Sequence, residues 1–114
     1  MTIFSTLGGT MTTDQLDPVV AKFVEALNAG DSNELLGLLT PNATMSDDGV
    51  DRDPDSWLQS EAFGSDGRMD VESIADGGTA LVANFTNDRW GAMRTFWRFT
   101  VSGDKISRFE TGQA

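Results

Sequence analysis

The sequence predicts an α+β domain: three helices in the first half, packed on one face of a curved, mainly antiparallel sheet built largely from the second. Three observations predict it. Apolar residues recur at helical spacing from Val20 onward. After Gly67 the spacing changes to strand-like alternation. Asp76-Gly77-Gly78 and Ser102-Gly103-Asp104 then cut the second half into hairpins. At 114 residues the chain is one domain, able to bury roughly 65 % of its unfolded surface without staples. Residues 1–12, loose and rich in Thr and Gly, read as a flexible leader, and 13–114 as the folded domain.

The first helix is set by Val20, Phe23, Val24 and Leu27, which fall on one face at i, i+3, i+4, i+7. Asp17-Pro18 suits its N-cap and first position, with Thr13 or Asp14 as earlier starts, and Gly30 suits its left-handed stop. Asp31 with Glu34 three residues on forms a capping box for a second helix, whose face is Leu35, Leu36, Leu38 and Leu39 and which Pro41 ends. "NATMSDDG", residues 42–49, reads as a short strand. Asp53-Pro54 opens a third helix with Trp57, Leu58 and Phe63 inward and Gly64 as its stop. Strands are then expected at 68–76, 79–87, 91–101 and 105–110.

Period-two alternation assigns the faces. Ala43, Met45 and Asp47 share one side of the short strand, which the apolar pair marks as inner, unless a β-bulge reverses the register. On the long strand Met93, Thr95, Trp97, Phe99 and Val101 should lie under the helices. Arg94, Phe96 and Arg98 on the opposite side read as a subunit interface, against the plainer reading of an exposed face with snorkelling arginines. The strand over 79–87 is apolar on both sides, so Asn84 is placed either in a pocket or at that interface. Asp70 and Glu72 read as solvated charges.

Composition excludes whole classes of chemistry. Cys, His and Tyr are absent, which removes disulfides, thiolate and histidine metal sites, Ser–His and Cys–His nucleophiles and phenol donors. Proton transfer is left to Asp, Glu, Lys, hydroxyls, indoles or the backbone. Asp47 is the candidate base: among apolar side chains its charged form is disfavoured, which raises a carboxyl toward the range a general base needs. The plainer alternative is that Asp47 caps a turn or faces water. A net charge of −10 argues against nucleic acid and anionic membrane surfaces as partners. No segment reaches the roughly 20 apolar residues of a membrane span, no signal-length apolar run opens the chain, and a cytoplasmic location is expected. No cofactor or metal is implied.

The run "KFVEALNAGDSNELLGLLTPNATMSDDG" and the tail "TFWRFTVSGDKISRFETG" resemble bacterial ketosteroid isomerases and the wider nuclear transport factor 2-like, or SnoaL-like, superfamily. The resemblance implies a cone whose curved sheet encloses an apolar pocket, and a homodimer through the outer sheet face at Arg94, Phe96 and Arg98. It places the isomerase's aspartate base on Asp47. It places the tyrosine donor on Phe23, which cannot donate, and the aspartic acid donor on Thr95, a weaker and differently shaped one. Losing one oxyanion donor costs a factor of about 10²–10³ in rate, so steroid isomerisation itself is not expected. The implied ligand-binding residues are Phe23, Leu27, Trp57, Val71, Asn84, Met93, Thr95, Trp97 and Phe99, for a small apolar ligand; ordinary core packing is the competing account of each. Asp51-Arg52-Asp53 invites comparison with the water-activating Asp–Arg–Asp set of epoxide hydrolases, but helix capping by Asp53 explains it better. The expected function is isomerase, cyclase or hydrolase chemistry on an apolar substrate. The alternative is a binding or dimerising module of the same fold.

Overall fold

The computed structural model describes residues 15–114, so the expected leader over 1–12 and the earlier helix starts at Thr13 and Asp14 lie outside the described residues. Among the described residues, three α-helices, α1 (Pro18–Ala29), α2 (Ser32–Gly37) and α3 (Pro54–Glu61), accompany six strands. The strands are β1 (Leu39–Asp47), β2 (Val50–Arg52), β3 (Arg68–Ala75), β4 (Ala80–Asn87), β5 (Gly91–Ser102) and β6 (Lys105–Gln113). They form one sheet in the order β2-β1-β6-β5-β4-β3. Its neighbours are antiparallel except β1 and β6, which run parallel.

The helix signals work through identifiable atoms. Asp17 accepts a hydrogen bond from the Val19 N–H at 3.0 Å, Asp31 from Glu34 and Asp53 from Ser56. Gly30 closes α1 at φ +69°. Val20, Phe23, Val24 and Leu27 are all buried, and Phe23 packs among Trp97, Phe99 and Phe109 with ring centroids 5.0–6.0 Å away. Asn28, whose role the helical spacing did not show, ties α1 to the sheet edge. Its side chain accepts from the Met69 N–H at 2.7 Å and donates to the Met69 carbonyl at 2.9 Å, standing in for a missing strand partner.

Several boundaries differ from expectation. The second helix ends at Gly37 rather than before Pro41, and Leu39 already belongs to β1. Pro41 lies within that strand, where the register to β6 slips between Leu39 and Thr44; a residue without an N–H fits such an irregularity. The third helix stops at Glu61 rather than Gly64, followed by a 3₁₀ turn over Phe63–Ser65. Strand β2 was not expected at all. Its turn is Asp48-Gly49, with both residues in the left-handed region (φ 51° and 82°), the hairpin dipeptide that alternation alone passes over. The imperfect alternation of β3 has a cause: its register slips between Val71 and Ser73, so the half-buried side passes from Val71 to Ile74.

Candidate functional site

Register decides which way each strand residue faces. Asp47 pairs with Thr111, which also pairs with Trp97; Met45 pairs with Phe109, which also pairs with Phe99. Directly paired residues share a face of a sheet, so Asp47 stands on the same side as the buried Met45, Trp97, Phe99 and Phe109. Along β4 it is Leu81, Ala83, Phe85 and Asn87 that are buried, and Asn84 lies on the outer face, away from the core.

Beside Asp47 the inner face is not packed solid. A hollow of about 240 Å³ opens between α3, the β4–β5 turn and the ends of β1, β5 and β6. Its walls are Trp57, Trp90 and Trp97 with Phe85 and Met93; its polar lining includes Asp47, Asp48, Glu61, Thr95 and Thr111. A second, more polar hollow of about 540 Å³ adjoins it, lined by Arg52, Asp53, Ser56, Ser60 and Arg89. Asp47, Trp57, Glu61 and Trp90 border both.

Of the expected ligand-binding residues, the structure brings Trp57, Met93, Thr95 and Trp97 together with Asp47 around the smaller hollow. Phe23, Leu27 and Phe99 lie behind it in the packed core, Val71 is half-buried against that core, and Asn84 is on the far side of the sheet. Phe23, in particular, is wholly buried and edge-on to Phe99, so the depth of the domain is filled by aromatic rings.

The hydrogen bonds limit what each group can do. The Trp57 indole N–H donates to Asp47 Oδ2 at 3.0 Å. The Thr95 hydroxyl donates to the Ala83 carbonyl at 3.2 Å and accepts from the Trp97 indole at 2.9 Å. Its proton is therefore committed to the backbone. Asp48, at the rim, accepts from the Gln113 N–H at 2.9 Å.

The residues that the alternation did not point to are Glu61, Asn87, Arg89 and Trp90. Glu61 Oε1 accepts from the Trp90 indole at 2.7 Å, and Oε2 accepts from Ser60 at 2.7 Å and Arg89 at 3.0 Å. Burial pushes this carboxyl up. The hydrogen bonds from Trp90 and Ser60 and the guanidinium groups of Arg89 and Arg52 outweigh that and hold it below its usual value. Asn87 fixes the turn that carries Arg89 and Trp90, accepting from both their N–H groups and donating to the Glu61 carbonyl at 2.9 Å. The inward Asn at a strand end followed by a charged, aromatic turn was the available signal. The Asp51-Arg52-Asp53 set is split: Asp51 pairs with Arg108, Arg52 borders the polar hollow, and Asp53 caps α3, where Ser56 holds its carboxyl below the ordinary range.

A candidate polyketide cyclase from Sinorhizobium meliloti superimposes with a TM-score of 0.74 at 16 % identity, covering 89 % of this chain and 99 % of the other. A nuclear transport factor 2-like protein of unknown function from Cytophaga hutchinsonii gives 0.72 at 14 % identity and 95 % coverage of both chains. The fold is nuclear transport factor 2-like. A candidate ketosteroid isomerase from Kribbella flavida shares it, with a TM-score of 0.68 at 18 % identity over 92 % of this chain and 82 % of that one. No family model and no curated protein matches the sequence. At these identities the nuclear transport factor 2-like fold is what is shared, and chemistry has to be argued from this chain's own side chains. No described helix is long and apolar enough to cross a membrane, and no group of three or more Asp or Glu among the described residues could hold a metal.

Proposed function

We propose that the hollow binds a compact small molecule with an apolar body and that Asp47 acts on it as general base, in the manner of the isomerase and cyclase chemistry named for proteins of this fold. The observation that carries this is the placement of Asp47: an inward carboxylate beside three indoles, Phe85 and Met93, in a hollow whose other inward carboxylate, Glu61, is already paired with Arg89. A volume of about 240 Å³ lies just below the roughly 300–1,000 Å³ of drug-sized pockets, so the molecule is small. Steroid isomerisation itself is not proposed, because Phe23 is in the core and the Thr95 proton is engaged. The protein works as a homodimer through the outer face of β5. Phe96 is half-buried there beside the Arg98 guanidinium at 4.9 Å, and its ring also covers Gly112 of the neighbouring strand.

A second reading is favoured by a separate observation. Trp57 occupies one Asp47 oxygen, and the Thr95 hydroxyl and Trp97 indole already spend their protons within the fold. A hollow so furnished holds a ligand without turning it over. Deuterium exchange beside the carbonyl of 2-indanone, followed by NMR with wild type and Asp47→Asn, separates the two. A general base supplies about 10²–10⁴-fold, which the variant loses. Equal exchange with both proteins, while the indole signals still respond to the ketone, leaves binding alone.

A further inference from the structure

We infer that the ligand of this hollow carries a positive charge, an organic ammonium set against the indoles with its charged end toward Asp47. The inference rests on the reading of the hollow as a binding site and adds the chemical class of its occupant.

Charge inside the hollow is one-sided. Two inward carboxylates border it, Asp47 and Glu61, and no Lys or Arg does; Asp48 stands at the rim with Oδ1 turned to the Phe96 side of Gly112. The two inward carboxylates are not equivalent. Glu61 is already matched by Arg89 at 3.0 Å, and its two oxygens are engaged by Trp90, Ser60 and that guanidinium. Asp47 and Asp48 form no ion pair with any described residue; Asp47 receives an indole N–H and Asp48 a backbone N–H. The cations nearby, Arg52 and Arg89, border the adjoining polar hollow instead. A neutral or anionic guest would leave the Asp47 carboxylate uncompensated as water is displaced, whereas an ammonium replaces that water with a counter-charge.

The walls point to the same class. Aromatic rings attract cations through their quadrupoles, Trp most strongly, and aromatic enclosures are a recurrent means of holding quaternary ammonium groups. Three indoles border this hollow, and Trp57 and Trp97 stand edge to face at 6.0 Å. The protein already seats one cation on such a ring, with the Arg89 guanidinium 5.5 Å from the centre of Trp90. A whole-chain charge of −10 adds a long-range attraction for any positive ligand.

The test compares three probes of nearly one size on the intact protein: benzylammonium, benzyl alcohol and benzoate, titrated by indole fluorescence at neutral pH and low salt. The expected order is ammonium over alcohol by about tenfold or more, with benzoate weakest. Asp47→Asn should abolish most of that preference, and Asp104→Asn, on an exposed turn, should keep it. Alcohol or benzoate binding as tightly as the ammonium overturns the charge assignment and leaves the hollow standing as a binding site. A preference for the ammonium that survives in Asp47→Asn also overturns it, as attraction by the whole acidic surface. Failure of all three probes to bind removes the hollow as a site. The wild-type ranking needs no variant to fold.

Discussion

Replacing Asn87 with alanine should loosen the wall of the hollow at a cost that can be worked out in advance. The residue is 7 % exposed and its side chain makes three hydrogen bonds: from Arg89 N–H at 3.1 Å, from Trp90 N–H at 2.8 Å, and to the Glu61 carbonyl at 2.9 Å. At roughly 1 kcal/mol net for each, the loss is about 3 kcal/mol. For a domain of this size that lowers Tm by on the order of 12 °C. Asn84→Ala in the same strand is the control. Its side chain lies on the outer face and takes part in no hydrogen bond among the described residues, so its effect should stay within about 0.5 kcal/mol. Urea denaturation of both variants measures the difference, and tryptophan emission of the folded state reports whether Trp90 has moved. Equal, small losses for the two variants would mean that β4 does not present its odd positions inward, and the description of the hollow would go with it.

Three further outcomes are expected. Gly78 has φ +95°, and a β-carbon there would run into the backbone of Gln15, Leu16 and Asp17, so Gly78→Ala should cost at least about 2 kcal/mol in urea unfolding. Gly103→Ala, with open space around it at φ +65°, should cost about 1 kcal/mol or less; similar losses at the two sites would contradict the packing of that turn against the start of α1. Glu61 is held below its ordinary 4.5, so its contribution is present in full above that pH and disappears as acidity rises through the lowered folded-state value. Glu61→Gln should therefore flatten the acid limb of the stability curve, and superimposable limbs would count against the Trp90–Ser60–Arg89 cluster. Phe96→Asp should convert the proposed dimer to a monomer in sedimentation while leaving the far-ultraviolet spectrum unchanged; an unaltered sedimenting species would refute the proposed outer-face interface.

The fold was legible wherever local chemistry and long-range packing agreed. Asp17-Pro18, Asp31 with Glu34, and Asp53-Pro54 announce helices because their side chains satisfy N–H groups a few residues away. The long strand declared its faces because Met93, Thr95, Trp97 and Phe99 alternate with Arg94, Phe96 and Arg98. What failed needed knowledge of a distant partner. Leu38 and Leu39 look helical by composition, but the Leu38 carbonyl accepts from Ile106 N–H in the last strand, which draws Leu39 into β1. The direction of β4 could not be read from two apolar sides; pairing with β5 decides it. The candidate site was legible at Asp47, where a Met and a carboxylate two residues apart share a face, and at Trp57, Met93, Thr95 and Trp97. It was not legible at Glu61 and Trp90, because an exposed helix end and a hairpin turn meet only once the sheet is formed.

The most direct measurement follows the indole N–H signals of the three tryptophans in a ¹H–¹⁵N spectrum as a small molecule is added. Trp57, Trp90 and Trp97 all border the hollow, so with 2-indanone or benzylammonium their signals should move together with one dissociation constant. Amides of Val82 and Asn84 on the outer face should stay in place. Three silent indoles, or shifts gathered around Val82 and Phe96 instead, would contradict the claim that the space beside Asp47 receives a ligand.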